Sequence, residues 1–370
     1  MSEVVPLFTE LAALPSPPGE EREVADRVAD YMRDLALDVD EDDAGARVGS
    51  NAGNLYARVA PTSEGVPLFF CAHLDTVPPD GTIEPVVEDG IVRNAGGTIL
   101  GADNKAAVAV MLEATRRVLA EGRPHAGIEL LFTPKEEVGL LGAAAFDSDR
   151  LAARVGYVYD QAAPIGEVIL GAPHAHAMQI RFHGRASHSG MYPEEGRSAI
   201  AAAAKAISDF RLGRVDEETT ANVGVIHGGT AGNIVPEWCT FLAEARSQDE
   251  GKLADLVQDM LEAVTFAAEL GECEVETEMK KSYRGYRFKQ DDLAVRLAVD
   301  ALRQSGREPT FALSGGAADA NVFNDRGLQC VNLANGMANI HTPDEQISVD
   351  DLEGMIDVTL ALVDAARHAA

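Results

Sequence analysis

The chain has 370 residues, 46% of them hydrophobic and 25% charged, and 31 Lys and Arg against 60 Asp and Glu leave a net charge of −29. At about 150 residues per domain this length means two domains, or one domain carrying an insertion, and the composition excludes a disordered tail, a collagen-like repeat and a disulfide miniprotein. So large an acidic excess repels phosphate backbones and anionic lipid, which excludes nucleic-acid and membrane-surface partners.

The N-terminus carries Glu3 and no base before Arg22, unlike a secretory signal, so a cytoplasmic location is expected. Val24, Val28, Met32 and Leu35 recur at helical spacing after the breaker run Pro15, Pro17, Pro18 and Gly19, predicting a helix over Glu20–Leu37. Strands are expected at Asn54–Val59 and Leu68–Ala72, a long helix at Lys105–Ala120, and strands at Ile128–Thr133 and Val155–Tyr159. Apolar runs such as Ala106–Leu112 fall far short of the ~18 residues of a membrane span.

The pattern changes near Pro173. A strand at His174–Gly184, a helix at Glu194–Leu212, strands at Val223–His227 and Val235–Arg246, a helix at Lys252–Leu270 and a strand at Glu272–Lys281 follow in the β-α-β-β-α-β order of a ferredoxin-like unit. Alternating α/β grammar then resumes with a helix at Leu293–Gln304, strands at Thr310–Leu313 and Leu328–Leu333, and a closing helix at Val349–Arg367. The expected fold class is α/β: a mostly parallel sheet with helices on both faces, built from residues 1–173 and 286–370, with an inserted α+β domain over residues 174–285.

Cys71, Cys239, Cys273 and Cys330 are scattered without a CxxC pair and are expected to be reduced, mostly buried thiols. Only seven of the 31 basic residues are lysine, which fits a salty cytoplasm or plain solubility with arginine-rich codon usage.

His73 and Asp75 follow the Leu68–Ala72 strand, and Asp103 opens a helix. Glu136 and Glu137 follow the Ile128–Thr133 strand, Asp160 ends the next one, and His341 lies beyond Leu328–Leu333. In an open α/β sheet these strand ends line one crevice. Carboxylates and imidazoles gathered there repel one another unless cations neutralise them. Mixed nitrogen and oxygen donors suit Zn²⁺, with Co²⁺ or Mn²⁺ as substitutes, and a bridging carboxylate lets about five ligands hold two ions. Taken singly, an HxD or EE pair is an ordinary surface feature; the joint placement at strand ends carries the reading.

The segments His73-Leu74-Asp75-Thr76-Val77-Pro78, Thr98 to Ala106 and Thr133-Pro134-Lys135-Glu136-Glu137-Val138-Gly139 resemble the co-catalytic dizinc exopeptidases and amidohydrolases. That family includes peptidase T, glutamate carboxypeptidase, aminoacylase and succinyl-diaminopimelate desuccinylase. The runs at Thr98–Asp103 and Gly139-Leu140-Leu141-Gly142-Ala143 are most similar to its peptidase T-like branch. The resemblance implies one ion on His73, Asp103 and Asp160, and a second on Asp103, Glu137 and His341. Asp103 would bridge, followed by a cis peptide to Asn104. Asp75 would fix the His73 imidazole from behind by hydrogen bonding. Glu136 would be the general base, passing a proton from metal-activated water to the leaving amine.

In the insertion, Gly184 to Gly190, with Pro193 and Gly196, resembles the family's lid motif, implying that His188 stabilises the oxyanion, often across a homodimer interface. Gly228 to Pro236 and Glu244 to Ser247 resemble substrate-binding strands, with Asn233 and Arg246 on a carbonyl and a carboxylate. By itself Gly228–Gly232 reads as an ordinary turn between strands. Gly315 and Gly316, before Asp319, would give close backbone contact to substrate. His174, His176, His183 and His227 belong to no motif and are expected to be solvated or structural. The helix face Ala199–Ala204 suits either close packing between copies or packing on its own sheet. Asn104, Ala107, Ala317 and Ala318 depart from the family pattern without removing a ligand.

The expected activity is a cytoplasmic two-zinc hydrolase of short peptides, a tripeptide or dipeptide aminopeptidase. The alternatives are an N-acyl amino acid amidohydrolase or carboxypeptidase, and a non-catalytic metal-bound scaffold.

Overall fold

The segments Leu68–His73 and Ile128–Thr133 are strands buried at every residue, the condition of a parallel sheet covered on both faces. With Val155–Gln161 and Gln329–Ala334 they form the parallel centre of the main sheet. Its order is Ile128–Thr133, Leu68–His73, Val155–Gln161, Gln329–Ala334. Antiparallel strands flank it: Leu55–Val59 and then Val39–Glu41 on one side, Glu167–Ala172 on the other. Thr310–Leu313 runs parallel to Glu167–Ala172.

Alternate residues of the buried strands feed opposite faces. Phe70 and Tyr157 join the core built with the helices Val4–Ala12, Arg22–Asp34, Ala102–Ala120, Leu293–Gln304 and Val349–His368. On the other face Phe69 packs edge-on against Phe323 of the short helix Ala320–Asp325, with ring centroids 5.1 Å apart. Only glycine fits at position 156, where a Cβ would stand 2.2 Å from the Phe69 ring.

The computed structural model describes residues 3–369. It contains two compact units: Met1–Gly171 with Arg287–Ala370, and Ala172–Tyr286. In the smaller unit four long strands lie in the order Thr219–Gly228, Trp238–Ser247, His174–His183, Glu274–Tyr283, antiparallel throughout, with the two-residue strand Gly213–Arg214 at the Thr219–Gly228 edge. Numbered along the chain this is 2-3-1-4, the ferredoxin-like order. Met178, Ile180 and Phe182 bury one sheet face against the helices Ala199–Asp209 and Glu250–Leu270.

Several elements differ from expectation. The helix expected over Glu194–Leu212 spans only Ala199–Asp209, because Ser198 caps it by accepting from the Ala201 N–H and Pro193–Glu195 forms a separate turn. Its small-residue face, Ala199, Ala202, Ala203 and Ala206, is buried in the core of its own unit. The Val4–Ala12 helix, the Glu167–Ala172 strand and a small sheet of Pro85–Glu88, Ile91–Asn94 and Gln346–Ser348 were not expected. All four cysteines are free thiols. No helix among the described residues is long and apolar enough to cross a membrane.

Candidate metal centre

Parallel pairing puts the carboxyl ends of the central strands on one edge, and the acidic and histidine residues gather there. His73 ends its strand at 2% exposure. Its Nδ1 donates to the Asp75 backbone carbonyl at 2.8 Å. That leaves Nε2 facing Asp103 Oδ1 at 3.2 Å and Asp160 Oδ1 at 3.9 Å.

Asp103 is held on an irregular stretch. Gly101 is left-handed at φ +79, the Asp103–Asn104 peptide is cis, and regular helix begins at Lys105 because both preceding residues have non-helical backbone angles. The Asp103 carboxylate divides its oxygens between two imidazoles: Oδ1 faces His73, and Oδ2 faces His341 Nε2 at 3.1 Å. His341 Nε2 also lies 3.0 Å from Glu137 Oε1.

The loop that carries Glu136 and Glu137 is fixed by its backbone. Asp75, fully buried, accepts the Glu136 N–H on Oδ1 at 2.9 Å and the Glu137 N–H on Oδ2 at 3.1 Å. Glu21, also fully buried, accepts the Lys135 N–H at 3.2 Å. Asp75 also meets the His73 ring: its carbonyl accepts from Nδ1 at 2.8 Å, and its carboxylate Oδ1 stands 3.5 Å from the same nitrogen. Asp75 therefore couples His73 to the Glu136–Glu137 loop.

The electrostatics are those of too many buried charges of one sign. Burial, then the neighbouring Asp160, pushes the Glu136 carboxyl well above the usual range, and burial with Asp103 does the same to Asp160. Burial would also raise Asp103, but hydrogen bonds with His341 and His73 outweigh it and hold that carboxyl low. Hydrogen bonds with Asp103 and Glu137 push His341 up to about 10.

The donor set fits divalent cations. Ligand atoms of His73, Glu136 and Asp160 lie within 4.8 Å of one another, as do those of His73, Asp103 and Glu137. Ligands about 2.1 Å from a tetrahedral ion stand roughly 3.4 Å apart, close to the nitrogen–oxygen separations of 3.0–3.9 Å found here. All these donors are imidazole nitrogens and carboxylate oxygens, a set suited to Zn²⁺ or Mn²⁺.

The other expected residues fall in two places. In the larger unit, a Cβ at Gly315 would meet no atom within 4 Å, and at Gly316 only Ser314 Oγ at 3.9 Å. In the smaller unit His188 is exposed, its Nδ1 accepting the Gly190 and Met191 N–H groups, each at 3.2 Å. The Asn233 carbonyl accepts the Ser189 N–H at 3.0 Å, so the His188 and Asn233 segments lie side by side. Arg246 pairs with Glu244 at 3.0 Å and keeps a buried Nε without a partner. Of the unclaimed histidines, His183 stacks on Trp238 with ring centroids 4.0 Å apart.

Sequence reasoning missed Glu21 and Glu345, buried carboxylates: Glu345 is held by backbone amides alone, and Glu21 by backbone amides and the Ser50 hydroxyl. It also passed over Asp319, which accepts the Thr133 hydroxyl at 2.5 Å and is pushed up to about 6, chiefly by burial. The glycine pair before Asp319 was the available signal for that residue; Glu21 and Glu345 carried none.

The fold and this site define a metal-dependent hydrolase, and residues 69–365 match the model of peptidase family M20/M25/M40. The chain belongs to that family. It is 28% identical to peptidase T of Haemophilus influenzae over 76% of this chain and 68% of that one. The crystal structure of aminopeptidase PepT from Bacillus cereus superposes with a TM-score of 0.89 at 39% identity, covering 98% of each chain. A tripeptidase structure from Staphylococcus aureus gives 0.93 at 36% identity, covering 99% of this chain and 98% of that one. Within the family the chain is a peptidase T-like, metal-dependent exopeptidase.

Proposed function

We propose that the protein is a cytoplasmic two-zinc aminopeptidase that removes the N-terminal residue from unblocked tripeptides or dipeptides. The observation that carries the two-ion reading is the division of the Asp103 carboxylate between His73 and His341, at 3.2 and 3.1 Å. His73, Asp103 and Asp160 would hold one ion, and Asp103, Glu137 and His341 the other, with Co²⁺ or Mn²⁺ able to replace Zn²⁺. Bound there, the ions supply Lewis acidity, activating water and polarising the scissile carbonyl.

The remaining chemistry belongs to the chain. Glu136 takes a proton from the attacking water and delivers it to the leaving amine. Its N–H, anchored on Asp75, keeps the side chain aimed. His188 accepts two backbone amides on Nδ1, so the neutral ring carries its proton on Nε2, free to donate to a developing oxyanion. Asn233 and Arg246 bind the substrate carbonyl and carboxylate, and the bare backbone at Gly315 and Gly316 admits the peptide closely.

The names of the solved relatives, an aminopeptidase and a tripeptidase, support the choice of bond. Zinc-loaded protein offered free, N-acetylated and C-amidated di- and tripeptides is expected to release N-terminal residues from free tripeptides and leave acetylated ones intact. Cleavage of acylated amino acids with free tripeptides untouched would assign it instead as an amidohydrolase. We also infer a homodimer through the smaller unit, on the lid-motif resemblance around His188. Sedimentation at active concentration is expected to give twice the 39.2 kDa chain mass, and a monomer of full activity would remove that inference.

A further inference from the structure

The segment that delivers His341 makes a second attachment to the same loop. Glu345 lies four residues on, in a turn closed by its own N–H to the Thr342 carbonyl at 3.1 Å, with His341 left-handed at φ +63. At 1% exposure the Glu345 carboxylate is in place to be bonded only by protein. Its Oε2 accepts the N–H groups of Leu100 and Gly101, both at 2.8 Å, and its Oε1 accepts the N–H of Asp103 at 2.9 Å. Three amides of one loop thus converge on one carboxylate, an anion nest formed across 242 residues of sequence. Asp103 is gripped twice by this turn: its amide by Glu345, its carboxylate Oδ2 by His341.

We propose that Glu345 is a positioning residue for the metal centre: it clasps the Leu100–Asp103 loop to the His341 turn so that Asp103 can face both imidazoles at once. The inference rests on the two-ion reading. The Asp103–His341 hydrogen bond cannot serve as this tie in the loaded protein, because imidazole and carboxylate then each give their lone pairs to an ion. The amide bonds to Glu345 do not compete with ligation and persist. A buried charge fully satisfied by charge-assisted bonds is also rigid, which is what a bridging ligand requires.

The test compares wild type with E345Q and E345A, stripped with chelator and titrated with Co²⁺ alone. Glutamine keeps the shape and one acceptor oxygen but turns an NH₂ donor against one of the amide donors; alanine leaves three buried N–H groups without partners. Wild type is expected to take up two ions per chain, with the magnetic coupling of cobalt ions that share a carboxylate. In E345Q the affinity for the second ion is expected to fall roughly 10–100-fold, the coupled signal to weaken, and kcat to drop with KM nearly unchanged, recovering in excess Co²⁺. E345Q that binds two coupled ions with wild-type affinity overturns the proposal, as does a loss fully accounted for by a lower fraction folded before metal is added. Wild type that binds no ion overturns the two-ion reading itself, a separate result. Amide exchange in the unaltered protein removes dependence on any variant. The N–H groups of Leu100, Gly101 and Asp103 are expected to stay protected after metal is stripped, and exchange at open-loop rates would contradict the clasp.

Discussion

Glu136→Gln is expected to lower kcat roughly 10²–10⁴-fold while the number of bound ions stays the same. The structure supplies the reason to expect so clean a separation. The Glu136 backbone is fixed through its N–H to Asp75 at 2.9 Å, and the adjacent Glu137 is fixed independently at 3.1 Å. An amide at position 136 therefore removes the proton carrier without moving its neighbour from His341. Kinetics on a free tripeptide, paired with elemental analysis of the same sample, reads both quantities. Because Glu136 also lies within ligand distance of His73 and Asp160, losing an ion together with activity would make it a ligand and leave the base to be sought elsewhere. Turnover close to wild type would end its assignment as the proton shuttle.

Asp103→Asn is expected to have the opposite signature, with ion binding and turnover lost together. The side chain keeps its shape, but one of its two acceptor oxygens becomes an NH₂ facing an imidazole, and the negative charge shared between the two sites disappears. The loss in affinity should exceed the roughly 10–100-fold that follows removal of a residue behind a ligand, because here a direct ligand of both ions is changed. Calorimetric titration of stripped protein with Zn²⁺ checks it. Two ions bound at unchanged affinity would show that Asp103 does not bridge.

Much of the fold was legible because burial on both faces, as in Ile128–Thr133, and helical periodicity, as in Leu293–Gln304, each leave a plain mark. Ile128–Thr133, Leu293–Gln304 and Thr310–Leu313 were placed to the residue, and the four insertion strands in the right order. Val4–Ala12 escaped because a single short amphipathic turn pattern beside a proline-rich run is ambiguous, and Pro85–Glu88 because half-exposed strands alternate weakly. The acidic and histidine residues gathered at this sheet edge could be picked out as a set because all but Asp103, which opens a helix, lie at the end of or beyond a recognisable strand. The residues that hold them were not. Asp75 was given to the His73 ring alone; that its carboxylate also accepts the Glu136 and Glu137 amides depends on the turn at Lys135, left-handed at φ +57. Glu345 binds only backbone, and backbone partners leave no trace in residue identity.

The larger unit is made of two stretches of chain separated by the insertion, and this orders events during synthesis. His73, Asp103, Glu136, Glu137 and Asp160 all emerge from the ribosome before the smaller unit begins, whereas His341 and Glu345 follow it. A nascent chain can fold much of its parallel sheet early and still lack the clasp and the final imidazole. If the two-ion reading holds, the second cation site is completed only when translation is almost finished.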